Sequence, residues 1–184
     1  MTATPSASPP ATWTGARPPL AAGCWRVDPD QSYAAFDARI AGGPVRGSLP
    51  LAGQVLIGQP AGESSAWLTA RARCLSTGSA VLDGLLTGPG FLDSGAYPEI
   101  TFRTGRLTSV PAGWRATGQL QVKSAEHALA CQLGLAPASR QPEDPGVTVI
   151  SRWALDARWV TRQRIPGLRR HITMTCSITL SPAS

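Results

Sequence analysis

The alternation of apolar and polar residues is the feature of this sequence that most constrains its fold. A period of two residues places successive side chains on opposite faces of an extended strand. The clearest run covers residues 172–180, where apolar side chains at even positions alternate with Thr or Ser at odd positions. Similar runs cover residues 34–40, 66–74, 114–122 and 147–159, with shorter ones at 25–27, 45–51, 55–57, 100–108 and 129–135. Strands with one apolar and one polar face are typical of an antiparallel sheet that is solvated on one side.

Turn-forming residues separate these runs, at positions 42–44, 60–62, 111–113 and 142–146. Eight or more such strands in succession predict an all-β protein, built as a closed barrel or a sandwich.

Residues 78–86 differ from the rest, because their valine and leucines recur at helical spacing and predict one short helix between strands. The following loop, residues 88–98, carries Phe91, Leu92 and Tyr97, and we expect it to pack over an opening as a lid.

The chain of 184 residues is long enough for one domain with a substantial core. Residues 1–23 are rich in Pro and Ala and show no periodicity, so we expect a disordered tail before a barrel domain over residues 24–182. The tail lacks the basic start and apolar stretch of a signal peptide. We therefore expect a cytoplasmic protein, with export as the alternative if the start site is misassigned.

The formal net charge of +6 comes almost entirely from arginine, since Lys123 is the one lysine. This bias is typical of GC-rich coding, and the alternative is an anionic partner. No run of five or more basic residues occurs, so we predict no nucleic-acid binding. No apolar run reaches about 18 residues, so we also predict no membrane-spanning helix.

Several short motifs follow one another in a fixed order along the chain. Residues 25–32 (Trp-Arg-Val-Asp-Pro-Asp-Gln-Ser), followed by Phe36, resemble the opening of the YceI-like family. The most specific match is Phe-Leu-Asp at 91–93 followed by Tyr-Pro-Glu-Ile-Thr-Phe at 97–102. The other similar blocks lie at residues 45–47, 75–78, 118–120 and 172–180, so the resemblance runs in order from about Cys24 to Pro182.

The resemblance implies a lipocalin-like antiparallel β-barrel of eight or slightly more strands with one small helix. It also implies a tunnel that binds polyisoprenoid chains, such as quinone side chains, or similar amphiphiles, with no catalysis. Homodimers are common in the family. Three positions where the family has histidine are Gln31, Ile40 and Leu85 here, so no head-group role for those histidines carries over.

We expect the barrel lining to contact the lipid. The candidate lining residues are Phe36, Ala38, Ala70, Phe91, Phe102, Leu120, Trp153, Leu155 and Met174. Small residues on the inward phase favour an open interior, and these are Ala34, Ala38, Ala66, Ala70, Ala72, Ala116 and Gly118.

The densest positive patch is a candidate head-group site, because the planar guanidinium fork suits phosphate. It consists of Arg162, Arg164, Arg169 and Arg170. The alternative for this patch is a solvated, arginine-rich turn.

We predict neither a metal site nor an enzyme. The four cysteines are widely spaced, and Cys74, Cys131 and Cys176 are interpreted as small buried hydrophobes on their strands. His127 and His171 are interpreted as ordinary exposed histidines, and no GxSxG nucleophile motif is present. We predict no cofactor beyond a bound isoprenoid or quinone-like lipid.

The leading hypothesis is therefore a non-enzymatic lipid-binding or carrier barrel. The alternative is a filled barrel that acts through its surface or as a homodimer. Trp67 lies on the polar phase of its strand, which marks either an exposed patch or a subunit contact.

Overall fold

The structure, a computed structural model, describes residues 20–40, 43–58, 64–110, 113–136, 147–163, 165 and 167–183. Within them, each run of alternation corresponds to one strand, and the helix α1 (Ala80–Thr87) lies where its spacing predicts it. The strands are β1 (Gly23–Val27), β2 (Tyr33–Ile40), β3 (Gly43–Pro50), β4 (Ala52–Ile57), β5 (Ser65–Arg71), β6 (Glu99–Val110), β7 (Gly113–Val122), β8 (Ala125–Leu135), β9 (Val147–Asp156) and β10 (His171–Pro182).

Eight of these strands close into an antiparallel barrel. Their order is β1-β4-β5-β6-β7-β8-β9-β10, and β10 pairs with β1 to complete the circle. Strands β2 and β3 are additional, since β2 pairs with β10 next to β1, and β3 pairs with β2. The predicted fold class, a barrel of eight or slightly more strands with one short helix, is confirmed.

The corner between β1 and β2 is held by β10. The Asp28 N–H donates to the carbonyl of Thr179 at 2.9 Å, and the Thr179 N–H donates to Ser32 Oγ at 3.0 Å. Ser32 is only 2% exposed, and Asp28 Oδ1 accepts from the Asp30 N–H within the turn. The Asp-Pro-Asp-Gln-Ser segment therefore fixes the point at which the chain passes from one partner position on β10 to the next.

A β-bulge at Gly105 interrupts the register between β6 and β7. The Arg106 N–H donates to Thr104 Oγ1 at 3.2 Å, which fixes the bulge. The β6 backbone lies so close to Gly118 that a Cβ there would collide with the carbonyl of Arg103. Gly118 therefore allows two strands to approach closely and does not leave room in the interior, as its inward phase had suggested.

Two strands end earlier than the alternation predicts. Strand β5 ends at Arg71 and continues as a 3-10 turn, Ala72–Cys74, while β9 ends at Asp156 and continues as Ala157–Trp159. A 3-10 turn repeats every three residues, so counting by two no longer assigns faces there. Cys74 is exposed, and its interpretation as a buried hydrophobe is wrong.

The described part of the chain includes residues before position 24. Leu20 packs against the core, the carbonyl of Ala21 accepts from Trp25 Nε1 at 3.0 Å, and Gly23 opens β1. The buried Trp25 indole thus finds its hydrogen-bond partner upstream, and the extent of the tail over residues 1–23 stays a prediction. The remainder of the predicted tail, residues 1–19, lies outside the described residues, as does the turn at 142–146.

Helix α1 is short and only partly buried. Thr77 donates from its N–H and its hydroxyl to Asp83 Oδ1, at 2.7 and 2.6 Å, which fixes the start of the helix. Leu86 is buried, whereas Val81 and Leu85 are 82% and 51% exposed. No helix in the part of the chain that the structure describes is long and apolar enough to cross a membrane.

Strands β8 and β9 pair over a short stretch, since residues 133–135 alone pair with 149–151 among the described residues, and β1 and β10 pair over an equally short one. Trp159 fills the seam between β8 and β9 by stacking on His127, with ring centroids 4.2 Å apart and planes 12° apart. His127 Nε2 is buried there without a hydrogen-bond partner among the described residues. The interpretation of His127 as an ordinary exposed histidine is therefore wrong, because the 3-10 turn that follows β9 places an indole over it.

Two opposing effects act on the pKa of His127 at this seam. Burial holds the pKa of His127 below its ordinary value of 6.5, and the nearby Asp156 carboxylate opposes this shift. Asp156 is itself held by Arg158 at 2.7 Å and by Arg170 at 3.3 Å. The Arg158 hydrogen bond is the main reason that the pKa of Asp156 lies far below its usual range.

Gly118→Ala should destabilise the protein, because the added methyl group collides with backbone that cannot move aside. We expect a loss of about 1–3 kcal/mol in the free energy of unfolding, measured by denaturant titration. Gly105→Ala is the control, since a Cβ there meets nothing within 4 Å and should change stability by less than about 0.5 kcal/mol. Equal effects of the two substitutions would contradict the close approach at Gly118.

Stability should fall as the pH drops from about 7.5 to about 5.5. The unfolded chain protonates His127 near pH 6.5, whereas the native state resists protonation because its pKa is lowered. The native state thus binds fewer protons in this window, and acid favours unfolding. The Asp156 carboxylate stabilises the native state down to about pH 4, and this stabilisation is lost only at lower pH. The pH ranges in which His127 and Asp156 affect stability therefore differ.

The measurement is the melting temperature as a function of pH. His127→Phe keeps a ring against Trp159 and should abolish most of the decline, whereas His171→Gln, at an exposed histidine, should leave it unchanged. A decline that survives in His127→Phe would show that another group carries it.

Candidate functional site

The barrel encloses an apolar cavity of about 150 Å³. Inward-facing residues from β2 through β10 line it, with Leu20 closing one side. The chain places them there because the apolar phase of each strand faces the barrel axis. Most of the lining side chains are large and apolar, and four alanines contribute short side chains, namely Ala34, Ala66, Ala70 and Ala116.

A second cavity of about 90 Å³ adjoins the first beneath the 88–98 loop. Its roof includes Leu86 from α1 together with Phe91 and Leu92, which are buried at 5% and 6% exposure. Thr161 Oγ1 anchors this loop by donating to the carbonyl of Gly90 at 2.7 Å. The two cavities share part of their lining, namely Leu49, Ile100, Leu155, Val160 and Met174.

All nine candidate lining residues face one cavity or the other. The larger cavity has Ala70, Phe102, Leu120 and Trp153; the smaller has Phe36, Ala38 and Phe91; both have Leu155 and Met174. The structure thus brings the predicted set together, and contact of these residues with a ligand remains a prediction.

Other inward-phase residues do not contribute room. Ala72 lies in the 3-10 turn after β5, and Gly118 is closed off by the β6 backbone. Trp114 and Trp153 line the larger cavity, but Trp159 stacks in the seam instead. Sequence reasoning overlooked Val160 and Leu168, which lie in irregular segments where alternation gives no signal.

Cys131, Ser151 and Cys176 form a small polar cluster within the larger cavity. Ser151 lies opposite Cys176 across β9 and β10 and opposite Leu133 across β8 and β9. Cys131 is two residues from Leu133 on the same face of β8, so it lies diagonally across from Ser151. The alternation already places Ser151 on the inward phase of its run, and its polarity is the signal that sequence reasoning passed over.

Both thiols in this cluster are protonated at neutral pH. Burial raises the pKa of Cys131, and it raises the pKa of Cys176 to about 12, with Trp153 acting weakly in the opposite direction. A protonated thiol is a poor nucleophile and a poor metal ligand. Strand β9 separates the two cysteines and Cys131 is offset by two residues along β8, so their Cα atoms are more than about 9 Å apart, beyond the reach of a disulfide.

The candidate head-group arginines are only partly brought together. Arg162 and Arg169 are exposed, and each lies close in sequence to a lining residue of the smaller cavity, Val160 and Leu168 respectively. Arg170 is engaged by Asp156, and Arg164 lies outside the described residues.

The interior is therefore apolar, uncharged and without a thiolate. No group of three or more metal-ligating side chains occurs within the described residues. Chemically, this arrangement suits the burial of an apolar chain rather than proton transfer or nucleophilic attack.

Comparison with known proteins agrees with this geometry. BcnA of Burkholderia cenocepacia is similar in structure, with a TM-score of 0.73 at 16% sequence identity, covering 84% of this chain and 99% of BcnA. A polyisoprenoid binding domain from Saccharophagus degradans, implicated in plant cell wall breakdown, has a TM-score of 0.66 at 12% identity, covering 86% and 98%. A YCEI protein of Campylobacter jejuni has a TM-score of 0.64 at 14% identity, covering 76% and 86%.

At such low sequence identities, the structural similarity shows a shared fold alone. No curated protein sequence matches the chain. A family model described as the YceI-like domain, however, matches residues 25–180, from β1 to β10. Because this match covers most of the sequence, the chain belongs to the YceI-like family.

Proposed function

We propose that this protein binds, and carries without catalysis, a polyisoprenoid or a similar long apolar or amphiphilic lipid inside the barrel. The observation that carries the proposal is the apolar cavity inside the barrel. Apolar surface gains about 25 cal/mol for each Å² removed from water, so a hydrocarbon chain is favoured there. The solved polyisoprenoid binding domain of Saccharophagus degradans, with the same fold, supports the choice of ligand class.

The cavity volumes limit how much of a long chain fits. A cavity of about 150 Å³ holds roughly one benzene-sized group, whereas ligand pockets typically reach about 300–1,000 Å³. The larger and smaller cavities, at about 150 and 90 Å³, therefore hold only a short part of a polyisoprenoid as they stand. A longer chain requires the shared side chains to move, and Met174, with its flexible thioether, is the easiest to displace.

The arginine-rich segment provides a place for a polar head group. Arg162 and Arg169 are exposed and close in sequence to Val160 and Leu168, which line the smaller cavity, so we expect the head of a chain inserted there to meet them. We expect them to favour a phosphate or diphosphate over a neutral head. Arg170 contributes less, because Asp156 already engages it.

The small cavity volumes also favour a second candidate, a barrel that acts through its surface or as a homodimer. Trp67 and Leu56 are each 48% exposed on the outer face of β5 and β4, and Arg103 lies 5.9 Å from the Trp67 ring. The lipid extract and the uptake measurements described next separate this candidate from the lipid-binding barrel.

The direct experiment is mass spectrometry of a lipid extract from the purified protein. We expect an apolar or amphiphilic lipid at a stoichiometry that survives extensive washing. A clean extract, together with no uptake of added prenols, would favour the surface-acting barrel.

Ala70→Phe should block uptake without unfolding the barrel. Ala70 faces the larger cavity, and a phenyl ring is close to the size of the group that a cavity of about 150 Å³ accepts. We expect uptake of a fluorescent polyisoprenoid analogue to fall at least about tenfold, with little change in melting temperature. In a filled core the same substitution would instead cost about 1–3 kcal/mol.

Ala128→Phe is the matched control, because it makes the same change on the exposed face of β8. It should preserve uptake. Uptake that is unchanged in Ala70→Phe would exclude the larger cavity as the binding site.

A further inference from the structure

The most unusual group in the barrel interior is the Ser151 hydroxyl. Ser151 is 2% exposed, faces the larger cavity, and its Oγ has no hydrogen-bond partner among the described residues. A buried hydroxyl without a partner normally costs about 1–3 kcal/mol. Such groups are rare in native structures, so each one calls for a specific explanation, and a bound partner is one of them.

The neighbours of Ser151 do not satisfy it. Ser151 lies near enough to the Cys131 thiol to act on the pKa of that thiol in the direction opposite to burial, yet the two groups are not in hydrogen-bonding geometry. A thiol is in any case a weak hydrogen-bonding partner. Cys176 faces it from the adjacent strand as a second protonated thiol.

The other hydroxyl buried in the larger cavity differs in this respect. Thr104 Oγ1 donates to the carbonyl of Thr117 at 2.6 Å and accepts from the Arg106 N–H. The Thr104 hydroxyl is thus engaged in the hydrogen bonds of the bulge, whereas the Ser151 hydroxyl can donate to a molecule in the cavity.

A water molecule is a poor partner at this position. A buried water typically makes about three hydrogen bonds. The polar side chains around Ser151 are two weakly bonding thiols and the Trp153 indole, which acts on Cys176. The flanking side chains of β9, Val149 and Trp153, are bulky and line the cavity. A ligand oxygen carried on an apolar chain needs only the one strong bond that Ser151 donates.

We propose that Ser151 determines specificity in the larger cavity: its Oγ, between Cys131 and Cys176, donates a hydrogen bond to an uncharged carbonyl-type oxygen on the part of the ligand that lies there. This inference rests on the proposed function and narrows it from apolar chains in general to oxygenated ones. An anionic oxygen is excluded at this depth, because the surrounding cluster carries no charge to compensate it. The head group at the arginine segment is a separate contact at the end of the smaller cavity.

The test compares two small isoprenoids that differ only at one atom. Geranylacetone has a carbonyl oxygen, and its analogue has a methylene group in place of that oxygen. Dissociation constants for both are measured by displacement of a fluorescent prenol from the wild type, Ser151→Ala and Ser177→Ala. Ser177 lies on the outward phase of β10, so its substitution repeats the chemical change outside the cavity.

We expect the preference for geranylacetone over its analogue to fall about tenfold in Ser151→Ala, in line with one hydrogen bond. Affinity for the hydrocarbon analogue should stay the same, and Ser177→Ala should keep the wild-type preference. The unliganded Ser151→Ala protein should melt at or above the wild-type temperature, because the hydroxyl has no partner to lose.

Two failures are distinguishable. If neither isoprenoid binds the wild type, the proposed lipid-binding function is overturned together with this inference. If both bind but Ser151→Ala leaves the preference unchanged, the cavity binds lipids and the inference alone is overturned. A clear drop in melting temperature for Ser151→Ala would also overturn it, by revealing a structural partner for the hydroxyl.

Discussion

The hydrogen bonding of β10 to two separate segments on one of its edges is the constraint on which the rest of the barrel depends. β10 pairs with β9 along one edge, while its other edge is divided between β2, at residues 173–177, and β1, at 180–182. Ser32 sits at the division and accepts from the Thr179 N–H. Without that corner β1 could not return to β4, the circle would stay open, and the inner face of the sheet would meet water.

Closure explains why small side chains in the wall become a cavity. In an open sheet, an alanine opposite another strand is simply a shallow position on a surface. In a closed barrel of eight strands the radius is fixed by strand number and stagger, so the wall cannot collapse to fill the space. Ala34, Ala66, Ala70 and Ala116 therefore leave a void that a larger residue at any of them would reduce.

Sequence patterns predicted the strands, the single helix and the phase of each strand that faces the barrel axis, because alternate residues of a strand lie on the same face of the sheet. They failed where the backbone leaves that period. The 3-10 turns after Arg71 and Asp156 moved Cys74 to the surface and Trp159 onto His127. They also could not show that the backbone of β6 occupies the space beside Gly118, because that depends on the bulge at Gly105 across the strand pair. Cavity size was likewise out of reach, because it depends on side-chain packing rather than on phase.

The distribution of charge fixes the direction in which an amphiphile can enter. Arginines supply the net charge of +6 and lie outside the barrel lining, whereas the interior holds protonated thiols and hydroxyls. Moving an isolated charge into such an interior costs far more than a neutral hydrogen bond returns. Under the proposed function, a lipid with an ionised head would enter chain first, and we expect its head to remain near the exposed Arg162 and Arg169. A neutral carbonyl along the same chain pays a much smaller desolvation cost, so it is the kind of polar group that this interior can accept.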